Sequence, residues 1–185
     1  MIFLNAIIIH GAYGNPNENW FPWLKKELEK TGCTVSVPKF PTPENQTLES
    51  WLNVFNDYED KIEGSILIAH SLGVPFILNI LEKTNKKVKA CFFVSGFAGK
   101  LGNSKFDEIN KSFLKDFDWE KIKQNCEVFY VFHSDNDPYV ALKKAEELTS
   151  DLGVPMILVE GAGHFNSAAG YDKFEILLKN IKIEL

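Results

Sequence analysis

Six short apolar runs, rich in β-branched and aromatic residues, alternate along this chain with amphipathic, helix-like stretches. The apolar runs lie at about 5–10, 34–37, 65–70, 89–95, 127–132 and 155–160. The stretches between and after them predict helices at about 18–31, 47–60, 72–84, 118–124, 139–151 and 171–182. Strands that alternate with helices pair in parallel through crossovers. We therefore expect a three-layer α-β-α sandwich with a mostly parallel sheet of about six strands.

Length and composition exclude several classes of protein. The 185 residues suit one domain over 1–185, and the 45% hydrophobic and 24% charged contents are typical of globular proteins. No apolar run is long enough to cross a membrane, and the N-terminus lacks the features of a signal peptide, so we expect a cytoplasmic protein. All 20 basic residues are scattered lysines, which argues against a nucleic-acid partner. Three widely spaced cysteines, Cys33, Cys91 and Cys126, predict neither a disulfide framework nor a zinc site.

The segment 66–78 predicts a strand, a sharp turn and a helix, with Ser71 at the apex of the turn. Residues 69–73 read Ala-His-Ser-Leu-Gly, a variant of the G-x-S-x-G pattern in which Ala69 replaces the first glycine. A serine at this point stands at a helix N-terminus and clear of the sheet, where a nucleophilic hydroxyl is needed. The alternative is an ordinary turn in which Ser71 caps the helix.

All four histidines of the chain fall at the ends of predicted strands or in the loops directly after them. They are His10, His70, His133 and His164. In parallel sheets, ligands bind beyond the carboxyl ends of the strands, and these ends meet at one edge. Histidines in a core would be scattered, so this clustering predicts a functional site at that edge.

A serine nucleophile needs a base, and the base needs an orienting carboxylate. In the α/β-hydrolase fold the chain order is serine, acid, histidine. Only His164 follows both Ser71 and an acidic loop at a strand end, so we assign Ser71 as the nucleophile and His164 as the general base. Gly161 and Gly163 are expected to give the His164 loop the backbone freedom to direct the imidazole at Ser71.

The orienting acid is one of two aspartates in the loop after the fifth predicted strand. We prefer Asp137 to Asp135 because Pro138 follows it and suits the first position of the helix predicted at 139–151. This placement fixes the carboxylate at the end of the strand. The same placement allows a second interpretation, in which Asp137 is only the N-cap of that helix.

Acyl transfer also needs backbone N–H donors for the oxyanion. The residue after the nucleophile supplies one, here Leu72, and the loop after the first strand supplies the other, with Ala12 preferred and Tyr13 second. We expect His10 in that loop to bond the loop backbone. Candidate pocket residues are Tyr13, His10, His70, Phe97, Tyr139 and Phe165. For Phe97, Tyr139 and Phe165, as for Phe106 and Phe113, simple packing is an equal alternative to an apolar acyl pocket.

With these motifs placed, the chain resembles the retinoblastoma-binding-protein-9/YdeN-like serine hydrolases over nearly its whole length. The matching stretches are 8–11, 20–26, 69–73, 94–98, 119–123, 137–140 and 163–165. The resemblance implies a small α/β-hydrolase fold without a large lid domain and a triad of Ser71, Asp137 and His164. The L-x-C-x-E motif, linked to retinoblastoma-protein binding in the animal protein, is absent, so that partner is not expected.

The leading hypothesis is a metal-independent, cofactor-free serine hydrolase of the esterase type that acts on a small ester, thioester or amide. One alternative is a metal-dependent hydrolase that uses the four histidines with Asp135 or Asp137, although no H-x-H or H-E-x-x-H spacing is present. The other is a binding or regulatory protein that keeps the fold but has little turnover. We expect a small-molecule acyl substrate and no nucleic-acid or membrane partner, and the sequence predicts no particular oligomeric state.

Overall fold

The computed structural model describes residues 4–185 and contains a sheet of six strands that all run parallel. The strands are β1 (Asn5–Ile9), β2 (Thr34–Ser36), β3 (Ile66–His70), β4 (Val88–Val94), β5 (Cys126–His133) and β6 (Met156–Leu158). Their order in the sheet is β2-β1-β3-β4-β5-β6. The predicted sheet is therefore confirmed. The signal-peptide interpretation rests in part on residues 1–3, which lie outside the described residues.

Over residues 4–185, seven α-helices connect or follow these strands. They are α1 (Phe21–Glu29), α2 (Leu48–Phe55), α3 (Gly73–Lys83), α4 (Ser104–Asn110), α5 (Trp119–Gln124), α6 (Leu142–Leu152) and α7 (Glu175–Ile181). Six of them lie within or close to the predicted helical stretches, and α4 lies in a stretch for which the sequence predicts no element. The helix expected at 47–60 is divided, because α2 ends at Phe55 and a 3-10 helix continues over Asn56–Lys61.

Alternate residues of each strand point to opposite faces of the sheet, and each face has its own core. On one face, residues such as Leu67 and Phe93 pack with α3 and with side chains from α2, α5 and α6. On the other face, residues such as Ile68 and Phe92 pack with α1 and α7. Because both faces are covered, the strands are almost entirely apolar, as parallel strands usually are. The three-layer α-β-α sandwich is confirmed.

The segment 95–125, between β4 and β5, contains α4 and α5. Within residues 4–185 no separate lid domain interrupts the succession of strands and helices. In the same residues, no helix combines the length and the apolar character needed to cross a membrane.

Candidate active site

Ser71 lies in the sharp turn between β3 and α3. Its φ is 54°, a left-handed backbone conformation that few residues other than glycine adopt. The Ser71 N–H donates to the Val94 carbonyl at the end of β4 (2.9 Å), and its carbonyl accepts the N–H of Val74 (3.0 Å). The N-cap position of α3 is Leu72, and among the residues that the structure describes no side chain caps this helix, so the interpretation of Ser71 as a helix cap is not supported. The turn instead directs the serine side chain into a cavity.

Neighbouring backbone passes very close to this turn, which explains the small residues around it. A Cβ atom added to Gly73 would lie 2.8 Å from the carbonyl oxygen of Ile9, and one added to Gly11 would lie 2.8 Å from Ser71 Cβ. Both distances are shorter than contacts that real Cβ atoms make. A larger side chain at either position would therefore displace the Ser71 turn.

Asp137 and His164 form a hydrogen-bonded pair at the same edge of the sheet. His164 Nδ1 lies 2.8 Å from Asp137 Oδ2 and 3.0 Å from Oδ1. The Asp137 side chain is fully buried, and that of His164 is 10% exposed. Asp137 Oδ1 also accepts the backbone N–H groups of Tyr139 (2.9 Å) and Val140 (3.1 Å). A carboxylate at Nδ1 favours the tautomer in which Nδ1 carries the proton and Nε2 is free to act as a base.

The pKa of Asp137 lies below its ordinary value because two opposing effects are unequal. Burial on its own raises this pKa, but the hydrogen bond and the charge of His164, together with the N–H donors of Tyr139 and Val140, lower it by more. Asp137 is therefore ionised at neutral pH. An ionised carboxylate can stabilise a positive charge that forms on the imidazole of His164 during proton transfer.

The structure separates the two candidate acids. The helix predicted from position 139 begins only at Leu142, so Asp137 does not cap it, and its carboxylate closes a turn on Tyr139 and Val140 instead. Asp135 is exposed and accepts the N–H of Gly161 at 2.7 Å. The geometry thus brings Asp137, and not Asp135, to the imidazole of His164.

Ser71 and His164 line one cavity of about 360 Å³. Among the described residues the His164 ring is hydrogen-bonded to Asp137 and forms no hydrogen bond with Ser71. Hydrogen bonds between catalytic groups are often long or poorly aligned before substrate binds. Other predicted residues also lie in the wall of this cavity: Ala12, Tyr13, His70, Phe97, Phe106 and Tyr139.

Phe165 does not lie in the cavity wall, so its predicted pocket role is wrong. It is fully buried, and its ring stacks on Phe174 with centroids 4.9 Å apart. Its carbonyl accepts the indole N–H of Trp20 at 2.9 Å, which ties the His164 loop to the start of α1. Phe113 is also fully buried in the core and outside the cavity wall, as the packing alternative predicts.

His10 likewise lies behind the cavity and not in its wall, which corrects its place among the pocket residues. Its Nε2 accepts the N–H of Phe40 at 3.0 Å, so Nδ1 carries the proton and donates to the Gly11 carbonyl at 2.8 Å. Burial lowers the pKa of His10, so the ring is neutral. These contacts agree with the expectation that His10 bonds the backbone of its own loop.

The other histidines of the cluster also hold loops in place. His70 Nε2–H donates to the His164 carbonyl at 2.8 Å, and burial, with the nearby His164 as a smaller cause, lowers the pKa of His70 to about 3. His133, which is fully buried, donates Nε2–H to the Val140 carbonyl at 2.9 Å. The clustering of histidines thus reflects one imidazole paired with a carboxylate in the cavity wall, that of His164, and three supporting rings. Within residues 4–185, no group of three or more His, Cys, Asp or Glu side chains is arranged to hold a metal ion.

The backbone N–H groups predicted to bind an oxyanion differ in whether they already have a protein acceptor. Among the described residues, neither the N–H of Leu72 nor that of Ala12 has a protein acceptor. The N–H of Tyr13, the second candidate, donates to Thr42 Oγ1 at 2.7 Å and is therefore already engaged. Ala12 lies in the cavity wall, and Leu72 follows Ser71 directly.

The cavity wall also contains polar residues that sequence reasoning missed. They are Glu18, Asn19, Lys105, Asn110 and Asn166. Glu18 Oε2 accepts the Asn15 amide at 3.0 Å, and burial raises the pKa of Glu18. Lys105 and Asn110 lie on α4, which no sequence pattern predicts, and the other three lie in loops without hydrophobic periodicity. The one available signal is that Asn166 lies in the loop predicted after the sixth strand. Glu18 and Asn19 fall in the stretch predicted as a helix from position 18, whereas α1 begins only at Phe21.

Comparison with known proteins places these motifs among serine hydrolases. A family model described as serine hydrolase matches residues 6–182. The chain is 32% identical over 174 residues to YdeN of Bacillus subtilis, a hydrolase by name, with 92% of this chain and 90% of YdeN covered. It is 26% identical over 175 residues to the serine hydrolase RBBP9 of Rattus norvegicus, with 93% and 92% covered.

Solved structures agree with this result. The crystal structure of YdeN superposes with a TM-score of 0.92 at 28% identity and covers 98% of both chains. A carboxylesterase structure from Nitrososphaera gargenis superposes with a TM-score of 0.76 at 11% identity, covering 98% of this chain and 91% of that one. At so low an identity, the second likeness concerns the fold alone.

Proposed function

Because this chain belongs to the serine hydrolase family, we propose that it hydrolyses small carboxylic esters, and related thioesters or amides, through a triad of Ser71, His164 and Asp137. The observation that carries the proposal is the buried Asp137–His164 pair, whose imidazole shares one cavity with the strained serine turn. The comparisons supply the reaction class, and the residues supply the assignment of roles.

In the proposed reaction, Ser71 Oγ attacks the substrate carbonyl carbon while His164 Nε2 takes the hydroxyl proton. The N–H groups of Leu72 and Ala12 bind the oxyanion that forms. The tetrahedral intermediate then collapses, the C–O bond to the alcohol breaks, and His164 gives its proton to the departing oxygen. His164 next takes a proton from water, which attacks the acyl group, and Ser71 recovers its proton as the carboxylic acid leaves.

The cavity favours a small acyl group with apolar character. Its volume of about 360 Å³ is near the lower end of small-molecule sites. Phe97, Leu101, Phe106 and Tyr139 supply apolar surface in its wall. The Tyr139 ring also meets the His164 ring edge-on, with centroids 4.9 Å apart, and shields one side of the imidazole from water. We therefore expect short acyl chains to be preferred over long ones.

Labelling with a fluorophosphonate probe, followed by mass mapping of the adduct, tests the assignment. We expect the wild-type adduct on Ser71, no adduct in Ser71→Ala and much slower labelling in His164→Ala. Ser150→Ala is a matched control, because Ser150 is exposed on α6 and outside the cavity wall. The control should label and hydrolyse p-nitrophenyl acetate at the wild-type rate.

Two other results would replace this proposal with one of its alternatives. A folded wild-type protein that forms no adduct and is as inert as Ser71→Ala across a panel of esters would favour a binding or regulatory protein. Ester turnover that a chelator abolishes and that persists in Ser71→Ala would favour metal-dependent hydrolysis.

A further inference from the structure

Four consecutive residues after β5 each bind a different residue of the loop that carries His164. The pairs are Ser134 Oγ with the N–H of Ala162 (2.9 Å), Asp135 Oδ1 with the N–H of Gly161 (2.7 Å), Asn136 Oδ1 with the N–H of Gly163 (2.7 Å) and Asp137 with Nδ1 of His164 (2.8 Å). Only the last pair belongs to the proposed triad. The other three bind main-chain N–H groups, so they act on the path of the loop and not on the imidazole itself.

We infer that Asn136 is a positioning residue, which holds the main chain directly before His164 so that the imidazole faces Ser71. This inference rests on the proposed function. Asn136 Oδ1 accepts two donors, the N–H of Gly163 at 2.7 Å and the hydroxyl of Ser134 at 2.7 Å. Ser134 in turn accepts the N–H of Ala162. The side-chain oxygen of Asn136 therefore connects the loop after β5 to two successive residues of the His164 loop, to Gly163 directly and to Ala162 through Ser134.

The contacts on the two sides of His164 show why this bond matters for the imidazole. Before His164, Gly163 has a φ of 56° and its N–H is held by Asn136. After the His164 Cα atom, the carbonyl of His164 accepts Nε2–H of His70 at 2.8 Å. These two bonds restrain the main chain on both sides of His164, and the bond to Asp137 restrains its side chain. Without Asn136, one of these three restraints is lost.

Asn136 is also the member of the set whose effect can be separated from folding. It is exposed, so its replacement leaves no cavity in the core, and it is not in the cavity wall, so it does not contact substrate there. Ser134, by contrast, is fully buried. Asp135 accepts the N–H of Gly161, which lies further from His164 in the sequence than Gly163 does.

The test compares Asn136→Ala and Asn136→Asp with the wild-type protein, using p-nitrophenyl butyrate hydrolysis and the rate of fluorophosphonate labelling. Asn136→Ala is expected to lower kcat by about 10- to 100-fold, as misplacement of a catalytic group does, with KM changed less than about twofold. Labelling should slow by a similar factor. The aspartate variant keeps an acceptor for the N–H of Gly163 and should recover most of kcat.

The split between kcat and KM, together with the recovery of kcat in Asn136→Asp, is the readout that a merely structural role does not move. A positioning role lowers kcat in Asn136→Ala and restores it when an acceptor for the N–H of Gly163 returns. General destabilisation of the fold has no reason to follow that acceptor.

Thr47→Ala is the control for general destabilisation. Thr47 is exposed, and its side chain caps α2, away from the cavity wall, by accepting the N–H of Ser50. This variant should lose stability and keep kcat. If Asn136→Ala does not fold, Asn136→Ser, whose shorter side chain reaches Gly163 less well, takes its place with the same expected direction.

A wild-type protein that labels at Ser71, together with an Asn136→Ala variant of unchanged kcat, overturns the inference and leaves the proposed function intact. A loss confined to KM overturns it as well. A wild-type protein that does not label at Ser71 overturns the proposed function, and the positioning role is lost with it.

Discussion

Lowering the pH from 7.5 to 5.0 is expected to destabilise the folded protein through His70, the ring that holds the main chain of His164. The folded pKa of His70 is about 3, against an ordinary value of 6.5. Between these two values the unfolded chain binds a proton at this residue and the folded chain does not. Stability from this residue is therefore complete above about pH 6.5 and is lost progressively as the pH falls towards 3.

The size of the effect follows from the two pKa values. At pH 5.0 an unfolded histidine is almost fully protonated, whereas His70 in the folded protein is almost fully neutral. Integrating the difference from pH 7.5 to 5.0 gives a loss of about 2 kcal/mol in the free energy of unfolding. The result is insensitive to the exact folded pKa of His70, provided that it lies well below 5. His10 and His133, whose pKa values burial also lowers, add losses of the same sign.

Urea denaturation at pH 7.5, 6.5, 5.5 and 5.0, with wild type and His70→Gln, measures this loss. Glutamine keeps an N–H donor for the His164 carbonyl and does not titrate. The variant differs from wild type in absolute stability, but the free energy of unfolding that it loses on acidification should be smaller by about 2 kcal/mol. Asp137 does not interfere, because its pKa is lowered and it remains ionised in both states over most of this range.

Wild type and His70→Gln that lose the same free energy of unfolding between pH 7.5 and 5.0, within about 0.5 kcal/mol, would contradict a neutral His70. That result would mean that His70 is protonated in the folded protein at pH 5.0, and its ring could not then be a dry, neutral support for the His164 loop.

Three further predictions concern single substitutions. Asp137→Asn should lower kcat for ester hydrolysis by roughly 10³-fold or more. Asp135→Asn keeps an acceptor for the N–H of Gly161 and should change kcat less than about fivefold. Equal losses in the two variants would contradict the assignment of the acid. Gly11→Ala should lower kcat by about 100-fold, since its new Cβ would lie 2.8 Å from Ser71 Cβ; wild-type activity would show that the turn yields without harm. Trp51→Ala should lower the free energy of unfolding, measured by urea denaturation, by about 3–5 kcal/mol, because the indole is fully buried and stacks on Phe40. A loss below about 1 kcal/mol would contradict its place in the core.

The sheet and the principal site residues follow from the sequence for identifiable reasons. Continuous apolar runs such as Ala6–Ile9 favour strands covered on both faces, and their alternation with amphipathic stretches predicts a parallel sheet. In a parallel sheet the carboxyl ends of all strands lie at one edge. Because Ser71, Asp137 and His164 each follow the end of a predicted strand, they are predicted to lie near that edge. Local sequence and topology together are therefore enough to place these three residues at one edge.

The parts that sequence reasoning missed depend on contacts that leave no periodic trace. Asp137 turns back on Tyr139 and Val140, and the following helix begins later than its sequence pattern suggests. The bonds from Ser134, Asp135 and Asn136 join side chains to main-chain N–H groups 26 to 28 residues away, which no pattern of hydrophobicity encodes. Aromatic residues near a strand end, such as Phe165, fill the core or line the cavity depending on side-chain direction, which the sequence does not specify.

The most direct test of covalent ester hydrolysis by Ser71 is to trap the acyl-enzyme. Wild-type protein is mixed with an activated ester of a bulky acid, such as p-nitrophenyl pivalate, quenched in acid during turnover and mapped by mass spectrometry. Our account predicts a burst of p-nitrophenol and a pivaloyl group on Ser71, absent in Ser71→Ala. Steady turnover without an adduct on the wild-type protein, or an acyl group on another residue that survives Ser71→Ala, would contradict it.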